Sequence, residues 1–539
     1  MDKTRRNFML TTAAVLASAF GWVSAANKKS SPNSNARLGI NLSSIVDWVT
    51  EFPFVDLFKQ SRAWSLESKD SASSSQIKAG LINASLILDA QGWISHLPLG
   101  ITASAIISSL DNGHFPSGDY VILYDGEGEI AIPNYLNKSA KPGRIVVNVN
   151  GKKGLFHLII SKIHPTDYIK NIRVIPAQFE HTYQKNPWHP AFLARWQGVA
   201  NIRFMDFMTT NNSTQVNWSD RPQLADASYV PKGVPLELMV DLANRLNTEP
   251  WFCLPHMAND DYNKQFASTV KAYLNPNLHA WVEYSNEVWN GGFNQNVYAA
   301  KEGLRLKLAL QPWEAALKYN AYRSMQIFKI WGDVFCQNSD NQHKYFVRVL
   351  ASQAAYTGVA EQILSFKLDA KQAANQADVL AIAPYINFSV PPNADDGITD
   401  KIVANWSMNQ LFDHLNQVVM PTTIQWIKSH QKLADDYQLK VVAYEAGQHL
   451  VGVAGAENNE QLTQLFLKAN ADARMGELYT QYLSAWTKNG GDLICAFNSV
   501  GVWSKWGSWG LLQYNDDKPS SKFKAVIDWA NLRGQKMRF

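Results

Sequence analysis

Cysteine is nearly absent from this chain: three in 539 residues, Cys253, Cys336 and Cys495. That excludes a disulfide-stapled scaffold, and without a CxxC pair or a Cys/His cluster there is no structural zinc signal. Two of the three sit in apolar strand-like runs, where a thiol behaves as a small hydrophobe. An excess of one charge is missing too. A net charge of +4 is small for this length and argues against a dedicated nucleic-acid binder. Beyond the N-terminus no stretch approaches the 18 apolar residues of a membrane span. No glycine-rich phosphate loop follows the first candidate strand, which weighs against an open dinucleotide-binding sheet.

The one apolar run of note, Phe8 to Phe20, is preceded by Lys3, Arg5 and Arg6 and followed by Ser24-Ala25-Ala26. Residues 1–26 thus have the layout of an export signal. Thr4-Arg5-Arg6-Asn7-Phe8-Met9-Leu10 resembles a twin-arginine signal, with a Sec signal or an uncleaved anchor as the alternatives. The expected location is periplasmic or extracellular, with residues 27–36 as a polar linker.

What the chain has in quantity is apolar and aromatic side chains. Hydrophobic residues make up 46% against 18% charged, enough for a sizeable core. Nineteen Trp, twenty Tyr and twenty-four Phe serve either that core or a sugar-stacking cleft, since sugar C–H faces pack on aromatic planes. Eight candidate strands alternate with helical patterns: Leu38–Leu42, Asn201–Phe207, Pro250–Leu254, Ala280–Glu287, Tyr345–Leu350, Asp378–Pro384, Lys440–Glu445 and Asp492–Phe497. Strand–helix alternation implies parallel strands, and eight units close into an α/β (β/α)8 TIM barrel. One interval breaks the rhythm. From Trp64 to Glu180 the helical period gives way to short β runs such as Ala103–Ser109, Tyr120–Tyr124, Gly143–Val149, Leu155–Ser161 and Ile172–Ile175. This predicts an inserted all-β, sandwich-like domain over 67–180, with the barrel formed by 37–66 and 181–539. The insert reads equally as a carbohydrate-binding module or as a buttress on the cleft.

Barrel enzymes collect their chemistry at the carboxyl ends of the strands. The fourth strand runs into Ser285-Asn286-Glu287-Val288 and the seventh ends at Glu445. Two strand-end carboxylates suit glycosidic bond cleavage, Glu287 as general acid/base and Glu445 as nucleophile. Strand alternation places Glu283, Ser285 and Glu287 on one face, with Glu283 as a buried partner for Arg203 or Arg348. Arg203, inside an apolar strand, needs an anionic partner, either a catalytic carboxylate or a structural one. Asp206 either touches substrate or caps the next helix. His256 either binds a sugar hydroxyl or is a hydrogen-bonded structural histidine. Asn286 is a candidate donor to a sugar 2-hydroxyl, Trp289 a cleft wall, and Tyr385 a donor that positions the nucleophile or merely packs. The loop Trp503-Ser504-Lys505-Trp506-Gly507-Ser508-Trp509-Gly510 suits a sugar-binding floor, through Trp503 or Trp506.

An Asn-Glu pair after the fourth strand with a Glu after the seventh resembles the clan A glycoside hydrolases, retaining (β/α)8 enzymes. The resemblance runs from Leu38 to Phe539 apart from the insert, and carries site roles onto Arg203, Asn286, Glu287, Tyr385, Glu445 and Trp503, with His256 matched less closely. It implies double displacement with the carboxyl groups about 5–5.5 Å apart. Glu445 is expected low in pKa beside Arg203 and Glu287 high beside a negative neighbour. No metal and no cofactor is called for. The expected partner is a carbohydrate, such as a β-glucan-, mannan- or xylan-like polymer, with no nucleic acid and no membrane beyond the signal segment. A non-catalytic carbohydrate-binding protein and a transglycosylase using the same glutamates stand as alternatives.

Overall fold

The computed structural model describes residues 32–538 except 79, 81, 84–86, 112, 337–344 and 393–396. The expected export signal lies outside the described residues, as do residues 27–31 of the expected linker. Among the described residues no helix is long and apolar enough to cross a membrane.

The chain enters through β1 (Leu38–Asn41) and then leaves the barrel for eight antiparallel strands. β2 (Ser65–Ser68), β3 (Ile101–Ser108), β8 (Phe156–Ile163) and β5 (Gly128–Ala131) form one sheet in the order β2-β3-β8-β5. β6 (Asn137–Lys141), β7 (Arg144–Val149), β4 (Gly118–Asp125) and β9 (Lys170–Pro176) form the other, in the order β6-β7-β4-β9. Their facing side chains, among them Ala103, Ile122, Val147, Phe156, Leu158 and Val174, make a separate core. The strands without a legible signal are the exposed ones. β6 is exposed at every residue and β2 at every second one, so neither carries an apolar period. β2 begins at Ser65, ahead of the boundary expected at 67, and Phe52, Leu57 and Phe58 already belong to the sandwich core.

The chain returns to the barrel through β10 (Asn201–Arg203), β11 (Glu249–Leu254), β12 (Ala280–Tyr284) and β13 (Phe346–Ala351). A small hairpin follows, β14 (Lys367–Leu368) with β15 (Lys371–Gln372). Next come β16 (Val379–Ile382), β17 (Ile386–Val390), β18 (Lys440–Ala446), β19 (Gln448–Gly452) and β20 (Ile494–Ala496). Eight of these strands close a parallel barrel in the order β1-β10-β11-β12-β13-β16-β18-β20. Alternate residues face opposite ways, as the pleat requires. Phe252, Leu254 and Val282 point out into the main core beneath the helices, while Trp251, Cys253 and Trp281 point in. The helices follow the same logic: Leu236–Leu246 buries Leu236, Met239, Val240, Ala243 and Leu246, a stripe at helical spacing, and Asn247 ends it in a left-handed conformation at φ 51°.

Five expected strands stop short, two of them by three residues or more. β10 ends at Arg203 rather than Phe207, and β12 at Tyr284 rather than Glu287. Ser285 and Glu287 both take positive φ, 59° and 44°, so alternation does not extend through them. Above the barrel β17 and β19 form a parallel two-stranded ribbon that no periodicity announced.

Candidate active site

Arg203 ends β10 with no surface exposed, in register with Asn41 of β1 and Trp251 of β11. All five of its N–H donors are used. Nε donates to Glu283 at 3.1 Å, and Nη2 to Glu283 at 3.0 Å and Asn286 Oδ1 at 2.7 Å. Nη1 donates to Glu445 Oε1 at 3.0 Å and Asn41 Oδ1 at 3.2 Å. Its guanidinium carbon also lies over the rings of Trp251 and Tyr444, 5.5 and 4.9 Å from their centroids. Isolated in a barrel interior the guanidinium would be costly; here two carboxylates and two amides satisfy it.

Glu283 is the structural half of that arrangement. Besides Arg203 it accepts from Trp251 Nε1 at 2.9 Å. Arg348, the other partner considered for Glu283, pairs with Asp378 instead at 2.8 Å.

Glu445 is buried in β18, one oxygen on Arg203 and the other accepting from the Tyr385 hydroxyl at 2.9 Å. Glu287 stands at the rim of β12 with part of its surface open. It accepts from the Tyr444 hydroxyl at 3.1 Å and from Asn290 Nδ2 at 2.8 Å. Tyr444 and Glu445 are neighbours, and plain alternation would point them apart. A bulge in β18 opposite β20, between Ala443 and Ala446, accompanies their shared approach to the site. Asn286 donates Nδ2–H to Asn211 Oδ1 at 3.0 Å, and Gln295 donates to both Asn211 Oδ1 and the Asn286 carbonyl.

Burial lifts Glu287 to about 8, with the charge of Glu445 pushing the same way. Burial also raises Glu445, against the pull of Arg203 and the Tyr385 hydrogen bond, and the charge of Asp206 adds to the rise. The low value expected for Glu445 therefore does not hold: desolvation outweighs the guanidinium. The order of the pair still follows from contacts. Glu445 holds the cation and the second hydroxyl, so Glu287 keeps the proton the two compete for.

The structure thus joins Arg203, Asn286, Glu287, Tyr385 and Glu445 in one network. Among the described residues His256 has no hydrogen bond to it. It is buried, its ring packs edge-on to Tyr298 at 5.3 Å, its carbonyl accepts from Tyr284, and burial pushes its pKa down to about 4. Trp289 is half-buried against the main core. Trp503 donates Nε1–H to the Gly510 carbonyl at 2.9 Å under Lys522 Nζ, and Trp506 lies beneath Lys505 Nζ. Neither has a hydrogen bond or ring contact to the carboxylate network among the described residues. The tryptophan of that loop that reaches the barrel mouth is Trp509, which packs edge-on to Phe497 against the barrel's inner cluster and donates to His449. Sequence reasoning missed Asn41, Tyr444, His449 and Trp509. Asn41 was open to the strand-end rule, as a lone amide closing β1.

No family model matches this sequence, and no curated protein matches it significantly. Solved structures do. It is similar to a 4-O-α-L-rhamnosyl-β-D-glucuronidase from Fusarium oxysporum 12S, at 12% identity over 65% of this chain and 66% of that one, TM-score 0.39. It is also similar to an endo-β-1,4-mannanase from Thermotoga petrophila, at 13% identity over 65% and 74%, TM-score 0.32. A third is a GH5 xyloglucanase from Bacteroides ovatus, at 10% identity over 80% and 96%, TM-score 0.34. The match to the first spans just under two thirds of that enzyme.

Proposed function

We propose that this chain is a retaining glycoside hydrolase of the clan A kind, cleaving β-glycosidic bonds of a polysaccharide or oligosaccharide. The observation that carries the reading is the pair of strand-end carboxylates, Glu287 and Glu445, held in one buried network by Arg203, Tyr385 and Tyr444. Glu445 attacks the anomeric carbon while Glu287 gives its proton to the departing glycosidic oxygen. Glycosylation removes the negative charge of Glu445, which is one cause of the high pKa of Glu287. Glu287 then becomes the stronger acid it must be to work in reverse, taking a proton from the water that displaces Glu445 from the sugar. Export through residues 1–26 belongs to the same proposal, motivated by their basic–apolar–small layout, and fails if fractionated cells hold the protein only in the cytoplasm.

The test is hydrolysis of aryl β-glycosides and of β-glucan, mannan and xylan by wild type, Glu287→Gln and Glu445→Gln. Each substitution is expected to lower kcat on polysaccharide by about 10²–10⁴-fold or more. Glu287→Gln should retain far more rate on dinitrophenyl glycosides, whose leaving group needs no proton. The first-formed product should keep the substrate's anomeric configuration by NMR. Wild type and variants equally inert across the panel would make this a binding protein. Transfer of the glycosyl group to added sugars in preference to water would make it a transglycosylase.

A further inference from the structure

Above the rim, the chain continues twice at one corner. β17 follows directly on Tyr385 and β19 on Glu445-Ala446-Gly447, and the amide of Ile386 donates to the Gly447 carbonyl at 2.8 Å. In their parallel pairing Asn387 stands opposite His449, so both present side chains to the same face. The ring of His449 is 5.6 Å from that of Tyr385 and 5.6 Å from that of Trp509. Tyr385 in turn holds Glu445. His449 is therefore one aromatic ring away from the candidate nucleophile, on a wall that continues outward from it.

Trp509 decides the chemistry of that histidine. Its Nε1–H donates to His449 Nδ1 at 3.1 Å. An indole N–H can only donate, so Nδ1 carries the lone pair and the ring proton sits on Nε2. A second proton on the ring would set one N–H against another, so the contact selects the neutral form. Burial acts in the same direction, pushing the pKa down to about 4. The Nε2–H has no acceptor among the described residues. The residue keeps part of its surface open. A ring fixed as an uncharged donor, beside the indole face of Trp509 and the ring of Phe497, is equipped to hold a pyranose: the aromatic planes take its C–H face and Nε2–H takes one oxygen.

We propose that His449 is a specificity-determining residue of this site, its Nε2–H donating to one hydroxyl oxygen of the sugar bound beside Tyr385 and Trp509. The inference rests on the glycosidase reading above and adds the residue that reads a hydroxyl. Trp509 acts twice, stacking on the sugar and, through Nε1–H, positioning the imidazole in that tautomer.

The experiment compares kcat/KM of wild type, His449→Ala, His449→Gln and Trp509→Phe on aryl β-glucoside, mannoside, galactoside and xyloside, on their disaccharide counterparts, and on monodeoxy analogues of the best of these. On the parent glycoside His449→Ala should lose roughly 10- to 100-fold. On one deoxy analogue, lacking the bonded hydroxyl, wild type should already be as slow as the variant. His449→Gln, which restores an N–H near the Nε2 position, should recover part of the loss. Trp509→Phe should show the same analogue dependence with a smaller loss. Equal losses on every analogue, or no loss on any, overturn the assignment while leaving the glycosidase intact. A wild type that hydrolyses no glycoside overturns the glycosidase reading and this inference with it. Thermal midpoints accompany each variant; if His449→Ala does not fold, the Gln and Phe variants decide the matter by the same pattern.

Discussion

Which carboxylate keeps a proton is settled by single contacts, and it leaves a signature in stability. Glu287 is lifted from its ordinary 4.5 to about 8 in the folded chain. Between those values the native state holds a proton that the unfolded chain has released, so this group lowers stability as pH rises through the window. Below 4.5 both states are protonated and the effect vanishes. Glu287→Gln removes the titration. Its thermal midpoint should exceed that of wild type at pH 7–8, a gain of about 0.5–2 kcal/mol, and should match it near pH 4. A gap that persisted at pH 4, or a less stable variant at pH 8, would refute the raised pKa. Residues of this kind were legible in the sequence because each is a lone polar group in an apolar strand end: Arg203 in Asn201–Phe207, Glu287 after Ala280–Tyr284, Glu445 closing Lys440–Glu445. Tyr444 was not, because alternation turns it away from Glu445 and only a bulge in β18 brings both to the site. His449 and Trp509 were not, because each draws its meaning from the other across 60 residues.

At the level of elements, the end of β12 stores strain to aim a side chain. Ser285 adopts φ 59°, a region that costs a non-glycine residue roughly 1–2 kcal/mol, and its buried hydroxyl has no hydrogen-bond partner among the described residues. Glycine relieves both, against a larger entropy loss on folding. Ser285→Gly should therefore leave stability unchanged or raise it by up to about 1 kcal/mol, while kcat falls as Glu287 loses its fixed approach. Chemical denaturation with steady-state kinetics reads both; a variant destabilised by several kcal/mol would show that the serine supports the turn and is not strained by it. The same element marks the reach of pattern reasoning. The apolar run located β12, but where the strand stopped depended on backbone angles that residue type does not announce. The β17–β19 ribbon lay beyond it altogether, since two five-residue runs 62 positions apart carry no local sign that they pair.

For the whole molecule, the question is whether barrel and sandwich fold as one. The change of period near Trp64 disclosed the insert, but not how deeply it is rooted. Its core takes in Phe52, Leu57 and Phe58 before β2, and Ala227 and partly buried Tyr514 from far beyond it. Tyr514 lies flat on His114, centroids 3.5 Å apart, and His114 Nδ1 pairs with Asp516 at 3.0 Å. Asp47, in the loop after β1, sits at the centre of the junction with 1% of its side chain exposed. It accepts from Arg62 Nε at 2.9 Å and Nη2 at 2.8 Å, and from Ser109 Oγ at 2.7 Å. Such shared packing makes independent melting costly for either part, so wild type should unfold in one calorimetric transition. Asp47→Ala strips three charge-assisted hydrogen bonds from the junction. Arg62 is half exposed and regains water, so the loss should be about 1.5–3 kcal/mol, less than for a fully buried pair. The sandwich has the smaller core and should then melt first, splitting the endotherm in two while glycoside hydrolysis survives at temperatures between the peaks. Two transitions already in wild type, or an unsplit and unshifted endotherm in Asp47→Ala, would show that the junction does not couple the domains. Loss of hydrolysis together with the first peak would show instead that the barrel's site depends on the sandwich standing beside it.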